Sequence, residues 1–128
     1  MKTFADAKEY CETEAMNGLT TGRLFEPMRK SQNDMVYGES ITQFGGLKNI
    51  WIGVKRGRGK WKYTSTGVLS KFVFENWHPG QPDNGAHDCV HLFNEQWYNY
   101  DCNYKTFFIC QFVREPKKIQ NPSYDENY

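Results

Sequence analysis

The sequence lacks any apolar run long enough to cross a membrane, and it lacks a strong excess of charge of either sign. Sixteen lysines and arginines against fifteen aspartates and glutamates give a formal charge of +1, whereas a protein that follows phosphates is usually far more basic. We therefore expect neither membrane insertion nor nucleic acid binding. Residues 1–6 contain no apolar signal segment, so we expect either a mature form or a protein outside the secretory route.

The sequence also lacks a CxxC pair, which argues against a zinc ribbon and against a thioredoxin-like redox site. The four cysteines are Cys11, Cys89, Cys102 and Cys110. A zinc site would combine His87 and His91 with the two middle cysteines, but the short paired spacing of structural zinc sites is missing. Two disulfides explain the cysteines better and predict a secreted, extracellular protein, since disulfides need an oxidising compartment. Three pairings are open at this point.

Motifs of the common enzyme classes are absent as well. The sequence has no GxSxG, no phosphate-binding P-loop and no spacing that suggests a Ser-His-Asp set. We expect a non-catalytic protein. An NPxY sorting signal is present at 121–124, but it works only in the cytosol and conflicts with the expected disulfides, so we reject it.

The 128 residues are enough for one domain with a single core, and 16% of them are aromatic. An amphipathic helix is predicted over residues 3–17, capped by Thr3 and burying Phe4, Ala7, Tyr10 or Cys11, and Ala15. A second helix is predicted over 31–44, weakened by Gly38 and ended by Gly45.

Strands are predicted at 50–54, 60–64, 89–93 and 107–112, which makes the fold class α+β. A flexible basic loop is expected at 55–59, and residues 65–88 form a long loop of the kind that is usually functional. We place one domain at 1–113 and a polar, disordered tail at 114–128.

Taken in order, these segments resemble the C-type lectin-like domain. The residues that carry the resemblance are Thr3 to Cys11, Trp51-Ile52-Gly53-Val54, Gly59 to Tyr63, Trp77 to Asp83, Asp88-Cys89-Val90 with Trp97, and Phe108-Ile109-Cys110. The resemblance implies two helices flanking small antiparallel sheets with a long ligand-binding loop, and the disulfides Cys11–Cys110 and Cys89–Cys102. The family usually has a strand before its first helix. We therefore expect the last strand to lack a partner and to invite a homodimer.

The resemblance also implies a sugar site, because Gln81-Pro82-Asp83 matches the galactose-type tripeptide. In relatives its first and third residues bind Ca²⁺, and a cis proline between them aims both side chains the same way. The other calcium ligands of the family do not match. His87 stands where a carboxylate is usual, and Tyr98 and Asn99 replace Asn and Asp. If calcium binds, it would use Gln81, Asp83 and Asn99. With so few carboxylates we expect no cofactor, and calcium binding that is weak at most.

We therefore expect a lectin of innate immunity that binds terminal galactose, GalNAc or GlcNAc on glycans or glycoproteins and needs no calcium. The expected sugar-binding residues are Gln81, Asp83, His87, Tyr98, Asn99, Tyr100 and Asp101. Trp77 and Trp97 are expected mainly in the core. Tyr98 and Tyr100 are expected to alternate outward and inward on an extended chain.

Three alternatives remain open. The domain could recognise protein and bind no sugar. His87, His91 and Asp83 could hold a transition metal, although surface and half-buried histidines explain the pattern better. The basic residues at 55–60 could bind sulfated glycans, although a solvated hairpin is the simpler interpretation.

Overall fold

The computed structural model describes residues 1–14, 20–65, 67–68, 74–83 and 85–114. Two helices and eight strands form within these residues. They are α1 Phe4–Glu14, β1 Thr20–Leu24, α2 Lys30–Phe44, β2 Ile50–Gly57, β3 Lys60–Tyr63, β4 Gly67–Val68, β5 Cys89–Phe93, β6 Gln96–Tyr100, β7 Phe107–Phe108 and β8 Cys110–Arg114. The predicted class, α+β, is confirmed.

The strands form two sheets. The larger has the order β4-β3-β2-β5-β6, with β7 running parallel to β2, and the smaller is the antiparallel pair β1-β8. The expectation that the last strand would lack a partner is wrong, because β8 pairs with β1 from Leu24↔Cys110 to Thr20↔Arg114. The strand predicted at 107–112 divides at Ile109, whose carbonyl accepts the Phe25 N–H at 3.0 Å, and the chain there passes from one sheet to the other.

The first helix follows its prediction closely. Thr3 Oγ1 accepts the Asp6 N–H at 3.3 Å, which caps the helix. Phe4, Ala7 and Cys11 form the buried face, whereas Tyr10 is 43% exposed. Residues 15–17 of the predicted helix lie outside the described residues.

The second helix runs through Gly38 without interruption and ends at Gly45, which has a φ of 76° and donates its N–H to the Ile41 carbonyl at 3.0 Å. The basic segment at 55–59 is not a loose loop. Lys55 to Gly57 extend β2, and Arg58 and Gly59 form a two-residue hairpin turn with φ angles of 54° and 76°.

The core has two clusters of buried side chains. One surrounds Trp97 with Ile52, Val54, Val90 and Leu92, and the other joins α1 to Trp51, Leu24 and Cys89. Both disulfides have the implied pairing, Cys11–Cys110 and Cys89–Cys102. This confirms the predicted fold. Residues 115–128, the predicted tail, lie outside the described residues, and the domain boundary stays a prediction.

A glycine is required at position 53, because this part of β2 packs closely against a neighbouring loop. A Cβ there would lie 2.8 Å from Glu26 Cγ and 2.9 Å from the Leu24 carbonyl oxygen, closer than real contacts allow. Glu26 is itself buried and accepts hydrogen bonds from Thr64 and Ser65.

Candidate functional site

The long loop is fixed to β6 by its backbone. The Trp97 N–H donates to the Asn76 carbonyl at 2.9 Å, and the His78 N–H donates to the Trp97 carbonyl at 3.0 Å. Trp97 is fully buried and Trp77 packs against it at 5.4 Å, so both tryptophans serve the core as expected. The loop therefore begins from a rigid base.

Asn99 of β6 is hydrogen-bonded to both Gln81 and Asp83 of the long loop, and it is only 3% exposed. Its N–H donates to Gln81 Oε1 at 3.1 Å, and its Oδ1 accepts the Asp83 N–H at 3.0 Å. Its Nδ2 donates to Asp83 Oδ1 and to the His87 carbonyl, both at 3.0 Å, and to the Asp83 carbonyl at 3.3 Å. Since all three partners of Nδ2 are acceptors, the orientation of the carboxamide is fixed.

Asp83 carries the negative charge of the site. Its side chain is exposed, and Oδ1 also accepts the Gly85 N–H at 2.9 Å. The hydrogen bond from Asn99, and after it the one from Gly85, lower the pKa of the Asp83 carboxyl below its ordinary value. The group is therefore ionised at neutral pH, with Oδ1 used inside the loop.

Arg56 of β2 donates hydrogen bonds to the same loop. Its Nε donates to Asp88 Oδ1 at 2.8 Å, and its Nη2 donates to the Gly85 carbonyl. Its guanidinium also lies over the Trp61 ring, 5.1 Å from the centroid. The backbone around Gly85 is thus tied to β2.

The aromatic side of the site lies on β6, where Tyr98 and Tyr100 share one face. Side chains two residues apart on a strand point the same way, so the expectation that these tyrosines alternate is wrong. Trp97 and Asn99 are the buried residues between and beside them. Tyr100 is 36% exposed, and the His87 ring lies 5.8 Å from it.

A groove of about 510 Å³ collects these groups. Its lining residues are Asn49, Gln81, Asp83, His87, His91, Phe93, Tyr98, Asn99 and Tyr100. Six of the seven expected residues thus line it. Asp101 does not, because it forms a turn in which its carboxylate accepts the Asn103 N–H at 2.9 Å.

Sequence reasoning missed Asn49, His91 and Phe93 in this groove. The last two could have been found, because alternate residues of β5 face the same way, and His91 is paired with Tyr98 across the sheet. His91 is 5% exposed and packs among the rings of Trp51, Tyr98 and Tyr100. Its burial lowers its pKa to about 4, so it is neutral at physiological pH.

The comparisons with known proteins agree with this architecture. The model of the Lectin C-type domain matches residues 1–112. The chain belongs to the C-type lectin domain family.

Two relatives and one solved structure illustrate the similarity. Asialoglycoprotein receptor 1 of Rattus norvegicus is 29% identical over 119 residues, covering 87% of this chain and 38% of that protein. Perlucin of Haliotis laevigata is 29% identical over 122 residues, covering 89% of this chain and 72% of that protein. The mouse scavenger receptor C-type lectin carbohydrate-recognition domain superposes with a TM-score of 0.71 at 25% identity, over 91% of this chain and 85% of that one.

This C-type lectin domain spans well under two thirds of the length of several curated relatives that it matches. Within the described residues, no helix is long and apolar enough to cross a membrane.

The calcium site implied by the family does not fit the residues present. Calcium needs about six to eight oxygen ligands, several of them carboxylates. Here Gln81 Oε1 and Asp83 Oδ1 each accept an N–H of Asn99, and the Nδ2 of Asn99 points at three oxygens. Among the described residues, only Asp83 supplies a carboxylate to the groove.

The structure also does not support the zinc site or the transition-metal site that the sequence left open. The zinc site is excluded because Cys89 and Cys102 form a disulfide. In the part of the chain that the structure describes, no three His, Cys, Asp or Glu side chains are arranged to hold a metal ion, so the alternative set of His87, His91 and Asp83 has no support there.

Proposed function

We propose that this C-type lectin domain binds a terminal galactose or N-acetylhexosamine (GalNAc or GlcNAc) in the groove between the Gln81–Asp88 loop and β6, without calcium and without catalysis. The observation that carries the proposal is the ionised, exposed Asp83 carboxylate in the same groove as the exposed ring of Tyr100. A charged acceptor next to an apolar ring face suits a sugar, which has hydroxyls on its edge and C–H groups on its face.

The loop is built before any ligand arrives. Asn99 fixes the backbone at Asp83 and the carbonyl of His87, and Arg56 fixes Gly85. A preorganised site loses less conformational entropy on binding, and this raises the affinity for a small ligand.

Each part of the groove then has a role in sugar binding. A sugar hydroxyl would donate to the outer oxygen of Asp83, while His87 donates or accepts at the rim. Tyr100 would cover the C–H face of the ring, and Tyr98 is held in place by its hydroxyl, 3.0 Å from His78 Nδ1. The His78 ring stacks on Tyr98 at 4.7 Å.

The descriptions of the similar proteins support sugar binding. A carbohydrate-recognition domain is among the similar structures, and an asialoglycoprotein receptor is among the similar proteins. The two disulfides support secretion into an oxidising, extracellular environment. A role in innate immunity and a homodimer stay predictions.

A second candidate function is recognition of a protein without any sugar. The same Asn99 network favours it, since the oxygens that would bind calcium are occupied within the domain. A protein ligand would rest on the exposed Tyr100 and would not require the Asp83 charge.

A glycan array run with and without EDTA separates the two functions. We expect binding to glycans with terminal Gal, GalNAc or GlcNAc in both conditions. Asp83→Asn keeps an oxygen that can accept from Asn99 and Gly85, but it removes the charge. It should lower sugar affinity by about one to two decades, the equivalent of about 1.5–3 kcal/mol for a hydrogen bond to a charged group.

Asp101→Asn is the matched control, because Asp101 undergoes the same chemical change outside the groove. Its sugar affinity should equal that of the native protein. Full affinity in a folded Asp83→Asn protein, or equal losses in both variants, would place the sugar elsewhere. An array with no glycan bound would favour the protein-recognition function.

A further inference from the structure

A second groove, of about 350 Å³, lies where α1 meets the β2–β3 hairpin. Four basic residues line it, together with Tyr63 and Thr64. They are Lys8 of α1, Lys55 and Arg56 of β2, and Lys62 of β3. We call this the basic groove. Because these residues come from three separate elements, the fold brings the charge of Lys8 to positive charges that are far from it in the sequence.

The pairing of β2 with β3 places Lys55 directly opposite Lys62. Like charges in such cross-strand pairs are destabilising. Lys55 has one favourable contact, because its Nζ lies over the Phe4 ring, 5.8 Å from the centroid. Among the described residues, no carboxylate oxygen lies within 4.0 Å of either lysine ammonium. An anion bound between the two lysines would remove the repulsion.

Two of the four basic residues of the groove, Lys8 and Arg56, are already paired with carboxylates. Glu12 pairs with Lys8 at 2.8 Å, and Asp88 pairs with Arg56 at 2.7 Å. Glu26 is buried and accepts from Thr64 Oγ1. Among the described residues, Lys55 and Lys62 are therefore the two basic residues of the groove without a carboxylate partner.

We propose that the basic groove binds the sulfate groups of a sulfated glycan, at a site separate from the sugar groove. Lysine ammonium groups are compact charges on flexible stems, which suits sulfate esters at variable spacing. The volume suits a short stretch of glycan. Nucleic acid is disfavoured, because Tyr63, the only aromatic residue of the lining, is 3% exposed and offers no face for a base.

Calorimetric titration with a heparin-derived hexasaccharide tests the proposal on the full chain. Lys55→Gln/Lys62→Gln should weaken binding by about tenfold or more and make it less sensitive to added salt. Lys48→Gln/Lys105→Gln is the matched control, with the same loss of charge at lysines outside the groove. It should change the affinity by less than about twofold. Equal losses in the two double variants would overturn the proposal, since binding would then follow net charge alone.

The double variant at the groove is expected to fold, because it removes a like-charge pair, and its melting temperature should match or exceed that of the native protein. If it unfolds, the single variants Lys55→Gln and Lys62→Gln take its place, each with a smaller loss than the double variant and a larger loss than Lys48→Gln. A fully desulfated hexasaccharide should not bind. Equal affinity for it, or for a single-stranded DNA of the same charge, would contradict a sulfated ligand.

Asp83→Asn separates this site from the sugar groove. Hexasaccharide affinity should be unchanged in that variant, and free galactose should not displace the hexasaccharide. Loss of hexasaccharide binding in Asp83→Asn would overturn the separate site, whatever the outcome for neutral sugars.

Discussion

Two regions of this domain are stabilised in different ways. In the framework region (α1, β1, β8 and the start of β2), apolar side chains pack around the Cys11–Cys110 disulfide, and Phe4 meets Trp51 edge-on at 5.6 Å. In the loop region (residues 76–83 and 85–88 with β6), hydrogen bonds from Asn99 and Arg56 stabilise the structure. The framework region is therefore stabilised by buried apolar side chains, whereas the conformation of the loop region depends on a few specific hydrogen-bond donors.

The largest expected effect is on the framework region. Cys11→Ala/Cys110→Ala opens a link between residues 99 apart, and should cost about 4–5 kcal/mol of unfolding free energy through unfolded-state entropy. Cys89→Ala/Cys102→Ala opens a link over 13 residues and should cost about 3 kcal/mol. Urea unfolding of both variants measures the difference.

The two variants should also differ in function. The second pair lies at the base of the loop region, so its loss should reduce sugar affinity more than the loss of the first pair does. A larger stability cost from the 89–102 pair would contradict the comparison, because the loop region would then carry the stability.

The next effect is a loss of stability in acid through His91. The unfolded chain binds a proton at this position below about pH 6.5, whereas in the folded state burial lowers the pKa to about 4. Stability from the neutral ring is therefore complete above pH 6.5 and falls between about pH 6.5 and 4, by about 3 kcal/mol in all.

Urea unfolding at a series of pH values checks this. His91→Gln should flatten the curve in that range, and His87→Gln, at an exposed position of the same groove, should leave it unchanged. An unchanged slope in His91→Gln would show that other groups cause the acid sensitivity.

A smaller effect is expected from Asn99→Asp in the loop region. A carboxylate cannot donate to Asp83 Oδ1, the Asp83 carbonyl or the His87 carbonyl, so a buried position would lose its donors and gain repulsion. The cost should be about 2 kcal/mol at neutral pH. Asn103→Asp, the same change at an exposed position, should be close to neutral by thermal unfolding. Equal melting temperatures for the two variants would show that Asn99 does not hold the loop.

The same contrast explains what could be predicted from the sequence. The spacing of Phe4, Ala7 and Cys11 predicted the buried face of α1, and family resemblance supplied the disulfide pairing. The role of Asn99 could not be predicted in this way. Whether its side chain acts as an oxygen ligand or as a donor depends on the folded position of Asp83, a residue 16 positions away. Periodicity reports burial, and it does not report which polar atoms meet.

Two errors have simple physical causes. The expectation that Tyr98 and Tyr100 lie on opposite faces fails because residues two apart on a strand share a face, and both tyrosines line the groove. The glycines and charges of the segment at 55–59 favour a flexible loop. Pairing of Lys55, Arg56 and Gly57 with β3 leaves only a two-residue turn.

Calcium is expected to have the smallest effect of all. A ligand at a hundredfold excess over its dissociation constant would stabilise the native state by about 2.7 kcal/mol. Because Asn99 N–H groups occupy Gln81 Oε1 and Asp83 Oδ1, millimolar Ca²⁺ should leave both the melting temperature and the sugar affinity unchanged.

If calcium raised the melting temperature of the native protein by several degrees and EDTA abolished the rise, the conclusion that calcium does not fit this site would be wrong. Asn99→Asp sharpens the test, because it removes the Nδ2 donor from Asp83 Oδ1 and adds a second carboxylate beside Asp83, while the backbone N–H of residue 99 still donates to Gln81 Oε1. Calcium should raise the melting temperature of this variant and leave the native protein unchanged. Such a result would mean that the side chain at position 99, through its donating nitrogen and its lack of charge, keeps the loop region independent of calcium, while the framework region is the same in both proteins.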